Sequence, residues 1–163
     1  MQDMKRFPCL RIGIALALLA MALPAGALTV TVRPVLHWAA ENGLTEIARL
    51  LLDQGSDVNA RDNFSNTPLH LAVRHPAMVE LLLARGAQVG ARNAFGNTPL
   101  HLAVGDSPPW RRDRRVVELL LVAGADARAR NLFDKTPLDY SLRGGTSAYN
   151  LAIVTLLIEA GPR

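Results

Sequence analysis

His37, His70 and His101 stand 33 and 31 residues apart, and imidazole titrates near neutrality and is the commonest protein ligand for metals. A recurring histidine is therefore the first place in this chain to look for chemistry. The partners such chemistry needs are missing. Glu41, Glu46, Asp53, Asp57 and Glu80 are dispersed along the chain, with no pairing suited to general acid–base work. No G-x-S-x-G, C-x-x-C, H-E-x-x-H or phosphate-cradling glycine loop occurs. Cys9 is the single cysteine, so the chain can form no internal disulfide. On this reading the chain is not an enzyme: it offers no catalytic residue, no metal site and no cofactor site.

The histidines belong to a longer repeating phrase. Thr67-Pro68-Leu69-His70 recurs as Thr98-Pro99-Leu100-His101 and as Thr136-Pro137-Leu138-Asp139, and a worn copy survives as Leu36-His37. Each copy is trailed by an aliphatic triplet and a glycine: Leu50-Leu51-Leu52 with Gly55, Leu81-Leu82-Leu83 with Gly86, Leu119-Leu120-Leu121 with Gly124, and Leu156-Leu157-Ile158 with Gly161. Four units in fixed order make a stacked-repeat architecture, and such solenoids present extended surfaces that bind. Within a unit, Thr67 can cap a helix and Pro68 suits its first turn. Leu69 and Ala72 then share one helical face. A second helix carries Met78, Val79 and the triplet, and Gly86 sits where a left-handed residue ends it. The expected fold is an all-α repeat solenoid of helix-turn-helix units.

The unit resembles the ankyrin repeat, whose signature is T-P-L-H-x-A; Ala39, Ala72 and Ala103 supply the final letter. The resemblance covers roughly residues 35 to 161. It implies that Asp57 to Asn66, Gln88 to Asn97 and Asp126 to Lys135 project as hairpin loops. It implies that Thr67, Pro68, His70, Thr98, Pro99, His101, Thr136 and Pro137 are structural, each histidine bonding within its own repeat and to the adjacent loop. It also implies binding of another protein across the hairpin tips and inner helices. The repeats are placed at 35–66, 67–97, 98–135 and 136–163, after an extension at 28–34.

Two candidate surfaces follow. Aligning the units places Phe64, Phe95 and Phe133 at one hairpin position, with Arg61, Arg92 and Arg130 in register beside them. These form a binding row, or aromatics that stack for structural reasons. The second surface arises from length variation. The connection between the helices of repeat three is long (105–114), as is that of repeat four, whereas that of repeat two is short. Trp110, Arg111, Arg112, Arg114 and Arg115, with Tyr149 from repeat four, would lie side by side there. Trp and Arg are enriched at binding hot spots. The alternative is that Trp110 folds over the gap left by the short connection.

The start of the chain differs. Lys5, Arg6 and Arg11 precede an apolar run from Ile12 to Leu23, then Pro24 and Ala25-Gly26-Ala27. This reads as a secretory signal peptide at 1–27, cleaved after Ala27; an uncleaved membrane anchor is the alternative. Removing Lys5, Arg6, Arg11 and Asp3 takes the net charge from +4 to +2, too weak a bias for nucleic acid. A periplasmic protein-binding module is expected, with an accessory to an envelope enzyme or stress system as the alternative. The last helix is almost uncharged, so the C-terminal face is a further docking surface, including for a second copy.

Overall fold

The computed structural model describes residues 35–105, 113–142 and 148–160. Its helices are α1 (Val35–Glu41), α2 (Thr45–Asp53), α3 (Pro68–Leu71), α4 (Pro76–Ala84), α5 (Pro99–Gly105), α6 (Arg114–Val122), α7 (Pro137–Leu142) and α8 (Ala148–Glu159). They pair as α1–α2, α3–α4, α5–α6 and α7–α8. The first helices stack in a row, α1 on α3 on α5 on α7, and the second helices in a parallel row, α2 on α4 on α6 on α8. This is the solenoid expected from the repeats, and no strand occurs among the described residues.

Each helix boundary has a local cause. Proline opens α3, α4, α5 and α7, where its missing N–H would have had no helical partner. The second helices close on the same motif three times. Ser56, Ala87 and Ala125 donate their N–H to the carbonyls of Leu51, Leu82 and Leu120 at 3.0, 3.0 and 2.9 Å. The glycine before each carries the positive φ this reversal needs, 84° at Gly86.

The core lies between the two helix rows. Leu69, Met78, Leu82, Leu100, Val116, Leu120 and Ile153 are fully buried. The alanine of the signature is buried at Ala39, Ala72 and Ala103, which lets first helices approach closely.

The short connection of repeat two is closed by a tether to repeat one. His75 ends that connection, and its Nε2–H donates to the Glu41 carbonyl at 3.1 Å. Gly43, at φ 67°, lies beneath the ring; a Cβ there would stand 2.5 Å from His75 Nδ1. The shortened α3 and the imidazole on Gly43 together replace the missing residues.

Candidate functional site

Between consecutive repeats the chain projects a tight turn, and a single Asx side chain shapes it. Asp62 Oδ1 accepts the N–H of Phe64 and of Asn66, both at 2.8 Å. Asn93 Oδ1 does the same for Phe95 and Asn97 at 3.0 Å, and Asn131 Oδ1 for Phe133 and Lys135 at 2.9 and 3.0 Å. The tip residue after each phenylalanine has φ > 0: Ser65 at 58°, Gly96 at 72° and Asp134 at 56°. An aspartate or asparagine with two donors to satisfy thus fixes the backbone that carries the aromatic ring.

The turns are then fastened to one another. Ala94 N–H donates to the Phe64 carbonyl at 2.8 Å, and Leu132 N–H to the Phe95 carbonyl at 3.1 Å. Asn93 Nδ2 donates to Asn66 Oδ1 at 2.9 Å, and Asn131 Nδ2 to Asn97 Oδ1 at 2.7 Å. Arg61 Nη1 reaches the Arg92 carbonyl at 2.7 Å, and Arg92 Nη1 the Arg130 carbonyl at 2.9 Å. Arg130 turns onto its own hairpin and pairs with Asp134 at 2.8 Å. Arg61 and Arg92 thus clasp neighbouring hairpins through one guanidinium nitrogen each, while their side chains stay exposed.

The phenylalanines, by contrast, are outside. Phe64, Phe95 and Phe133 are 54%, 47% and 62% exposed, and Leu132 beside the last is exposed as well. The result is a row of apolar side chains on a hydrogen-bonded backbone. Leu132 was not anticipated from the sequence, because its equivalents Asn63 and Ala94 are not large apolar residues.

Below the hairpins lie the histidines. His70 Nδ1 accepts from the Thr67 backbone N–H at 3.1 Å and bonds the Thr67 hydroxyl at 2.9 Å. A backbone N–H can only donate, so Nδ1 carries the lone pair and the proton sits on Nε2. Nε2–H donates to the Asn97 carbonyl at 3.0 Å. His101 repeats this with Thr98 at 3.1 and 2.9 Å and with the Lys135 carbonyl at 3.0 Å. The histidine thus takes the place of the acid in a capping box, while its far nitrogen holds the next hairpin. Both ring nitrogens are occupied, which leaves His70 and His101 no lone pair for a metal. Burial pushes the His70 pKa down to about 4, and the His101 pKa falls for the same reason.

The two end units depart from this pattern. His37 Nε2–H donates to the Asn66 carbonyl at 2.9 Å, but its buried Nδ1 has no hydrogen-bond partner among the described residues. The sequence has Pro34 where the others have threonine, and proline has neither N–H nor hydroxyl. In repeat four Asp139 Oδ2 accepts the Thr136 N–H and hydroxyl, both at 2.8 Å; these bonds hold its carboxyl below the usual range. Having no second ring nitrogen, Asp139 caps its own helix only. Tyr140 adds a contact that the sequence did not announce. Its hydroxyl accepts from Asn131 Nδ2 at 3.0 Å, and its ring lies edge-on to His101 at 6.0 Å.

The second candidate surface is described only in part. Trp110, Arg111 and Arg112, and the Tyr149 side chain, lie outside the described residues. Arg114 and Arg115, expected at the end of the loop, form the first turn of α6. Arg114 pairs with Glu118 at 2.7 Å along the helix, and Arg115 pairs with Glu80 of repeat two at 2.6 Å. On the C-terminal face, Leu151, Thr155 and Ile158 are exposed along one stripe of α8. Among the described residues no helix is long and apolar enough to cross a membrane.

Comparison with known proteins agrees with the geometry. A family model described as ankyrin repeats matches in three overlapping copies, over residues 18–93, 36–110 and 74–163. An ankyrin repeat protein of Rickettsia bellii (strain RML369-C) is 53% identical over 38 residues, which are 23% of this chain and 16% of that protein. The match thus spans under a fifth of that relative's length. Ankyrin repeats are generally protein–protein interaction modules. With helix pairs stacked in two rows, a histidine that caps the first helix of repeats two and three while holding the next hairpin, and a family match over most of its length, this chain belongs to the ankyrin repeat family.

Proposed function

We propose that this protein binds another protein through the hairpin row, with Phe64, Phe95 and Phe133 as apolar anchors. The observation that carries the reading is their exposure on a backbone already fixed by hydrogen bonds. Three rings at 54%, 47% and 62% exposure have no core role. Their carriers are ordered before any partner arrives, which removes part of the entropy cost of association. Aromatic anchors on a rigid platform are what dominate interface energetics.

The test is the triple variant Phe64→Ser, Phe95→Ser, Phe133→Ser. It is expected to lose a partner retained by the wild-type protein in a quantitative pulldown, by at least about tenfold in affinity. Its unfolding free energy should stay within about 1 kcal/mol of wild type, because exposed side chains contribute little to folding. Undiminished capture by a folded triple variant would move the site away from the hairpins.

The place of action is read from the N-terminal segment. The basic residues, the apolar run from Ile12 to Leu23 and the Ala25-Gly26-Ala27 site support export to a periplasm. N-terminal sequencing of the protein from a periplasmic fraction is expected to begin at Leu28. An intact N-terminus recovered with membranes would contradict it.

A further inference from the structure

Ten large apolar side chains are exposed among the described residues, and their places are not scattered. Phe64, Phe95, Leu132 and Phe133 form the hairpin row, and Val122 stands alone on α6. The rest sit on the two end repeats: Trp38 and Leu50 on repeat one, Leu142, Leu151 and Ile158 on repeat four. Inside the stack the same positions are covered. Leu50 is 61% exposed, while its equivalent Leu81 is buried and Leu119 and Leu156 are half-buried. Ile158 is 63% exposed, while Leu52, Leu83 and Leu121 are half-buried. Leu142 is exposed where Ala40, Val73 and Val104 are buried.

Contacts between internal repeats show which way each position looks. Arg115 of α6 reaches back to Glu80 of α4 at 2.6 Å. The position of Arg115, which is Glu46 in repeat one, therefore faces the preceding repeat, and Leu50 lies one turn along the same face. The position of Glu80, which is Thr155 in repeat four, faces the following repeat, and Ile158 lies one turn along that face. On the first helices, Tyr140 has its ring edge-on to His101 of the preceding repeat. Trp38 holds the Tyr140 position and so looks backward as well. Repeat one thus offers Trp38 and Leu50 to a preceding repeat, and repeat four offers Leu142 and Ile158 to a following one. A terminal repeat of a self-contained array presents a polar face instead.

We infer that these two faces are made for each other, so that repeat four of one copy stacks on repeat one of a second copy, continuing the repeat-to-repeat interface from chain to chain. The joint uses the contacts already built three times inside the molecule, with Ile158 falling on Leu50 as each internal triplet falls on the next second helix. Its polar positions are compatible. Where Glu80 meets Arg115, the joint opposes Thr155 and Glu46; where Asp53 meets Arg85 at 2.8 Å, it opposes Glu159 and Gln54. Neither juxtaposition sets like charges together. A symmetric joint of two C-terminal faces would leave Trp38 and Leu50 uncovered, whereas head-to-tail stacking covers both ends at once. Such a heterologous contact repeats the solenoid's own step, so it builds open rows of copies and not closed dimers. The inference does not rest on the hairpin row, which stays exposed along the side of the assembly.

Sedimentation velocity on the protein purified from cells tests it. The average mass is expected to rise at least about twofold between about 1 and 100 μM, the range in which a micromolar interface fills. Leu50→Asp and Ile158→Asp should each weaken self-association by at least about tenfold. Both side chains are exposed, so circular dichroism should show wild-type helicity; if either aspartate lowers it, serine at the same position takes its place. The decisive sample is an equimolar mixture of the two variants. The intact C-terminal face of Leu50→Asp meets the intact N-terminal face of Ile158→Asp, and the assembly stops at two copies. The triple phenylalanine variant of the hairpin row should assemble like wild type, so the two readings fail separately. A wild-type protein that stays single-copy at about 100 μM overturns the proposal. So does a folded Leu50→Asp or Ile158→Asp that assembles like wild type, or a mixture that does not recombine.

Discussion

Leu120→Ala is expected to cost about 2–5 kcal/mol of unfolding free energy. Leu120 is fully buried on α6, and α6 packs against α4, α5 and α8. Truncation leaves a cavity that the neighbours cannot close without shifting helices on both sides. Natural domains are stable by only about 5–15 kcal/mol, so the loss is a large fraction of the total. In a stacked array the damage does not stay local, because each unit's stability depends on its interfaces with the next. Leu82→Ala on α4 should behave alike, since Leu82 has the same register and is also fully buried. Urea denaturation read by circular dichroism measures the effect. The internal control is Val122→Ala, on the same helix but 89% exposed, which should stay within about 0.5 kcal/mol. If Leu120→Ala melted with wild type and Val122→Ala did not, the helical register would be wrong.

Acid should destabilise the array well before its carboxylates protonate. In the folded protein burial holds His70 neutral down to about pH 4. The Asn97 carbonyl and Asp62 favour its charged form, while Arg61 opposes it, and burial prevails. In the unfolded chain the ring takes up a proton near its model value of 6.5. Above that value both states are neutral and stability is insensitive to this group. As pH falls from 6.5 to about 4, the unfolded state binds the extra proton and stability is lost. Over that window His70 accounts for roughly 3 kcal/mol, and His101 adds loss of the same sign. The structural reason is that Nδ1 already receives the Thr67 N–H; a proton there would face a donor with a donor. Unfolding free energies by urea titration, from about pH 7.5 to 4.5, should be flat at the upper end. They should then fall with a slope near 1.4 kcal/mol per pH unit for each histidine engaged. Stability that stays flat to about pH 5 would show that the buried rings ionise without penalty. Asp139, held low by the Thr136 bonds, adds a further loss only at more acid pH.

Much of this molecule was legible in one dimension. The T-P-L-H phrase and the leucine triplets located the helix pairs, because caps, proline positions and apolar spacing are local properties of a few consecutive residues. Leu82 and Leu120 were placed in the core for the same reason. The register of Phe64, Phe95 and Phe133 was readable too, since a repeat brings equivalent letters to equivalent places. The resemblance to ankyrin repeats then supplied the hairpins and a structural role for the histidines. The His70 and His101 bonds to Thr67, Thr98 and the following hairpins agree with that role.

What the sequence could not decide are contacts between units, and these depend on how repeats stack. Arg61 and Arg92 look like free cations in the sequence, but stacking brings a backbone carbonyl of the next hairpin within reach of each guanidinium. Arg115 looks like part of a loop, but it starts a helix and meets Glu80 thirty-five residues away. Leu50 and Leu81 are the same letter in the same phase, yet one is 61% exposed and the other buried. Sequence by itself determined which residues each repeat offers to its neighbours, because helix phase is set locally. Tertiary structure alone decided which of those offers are met, because burial belongs to the pair of surfaces and not to the residue.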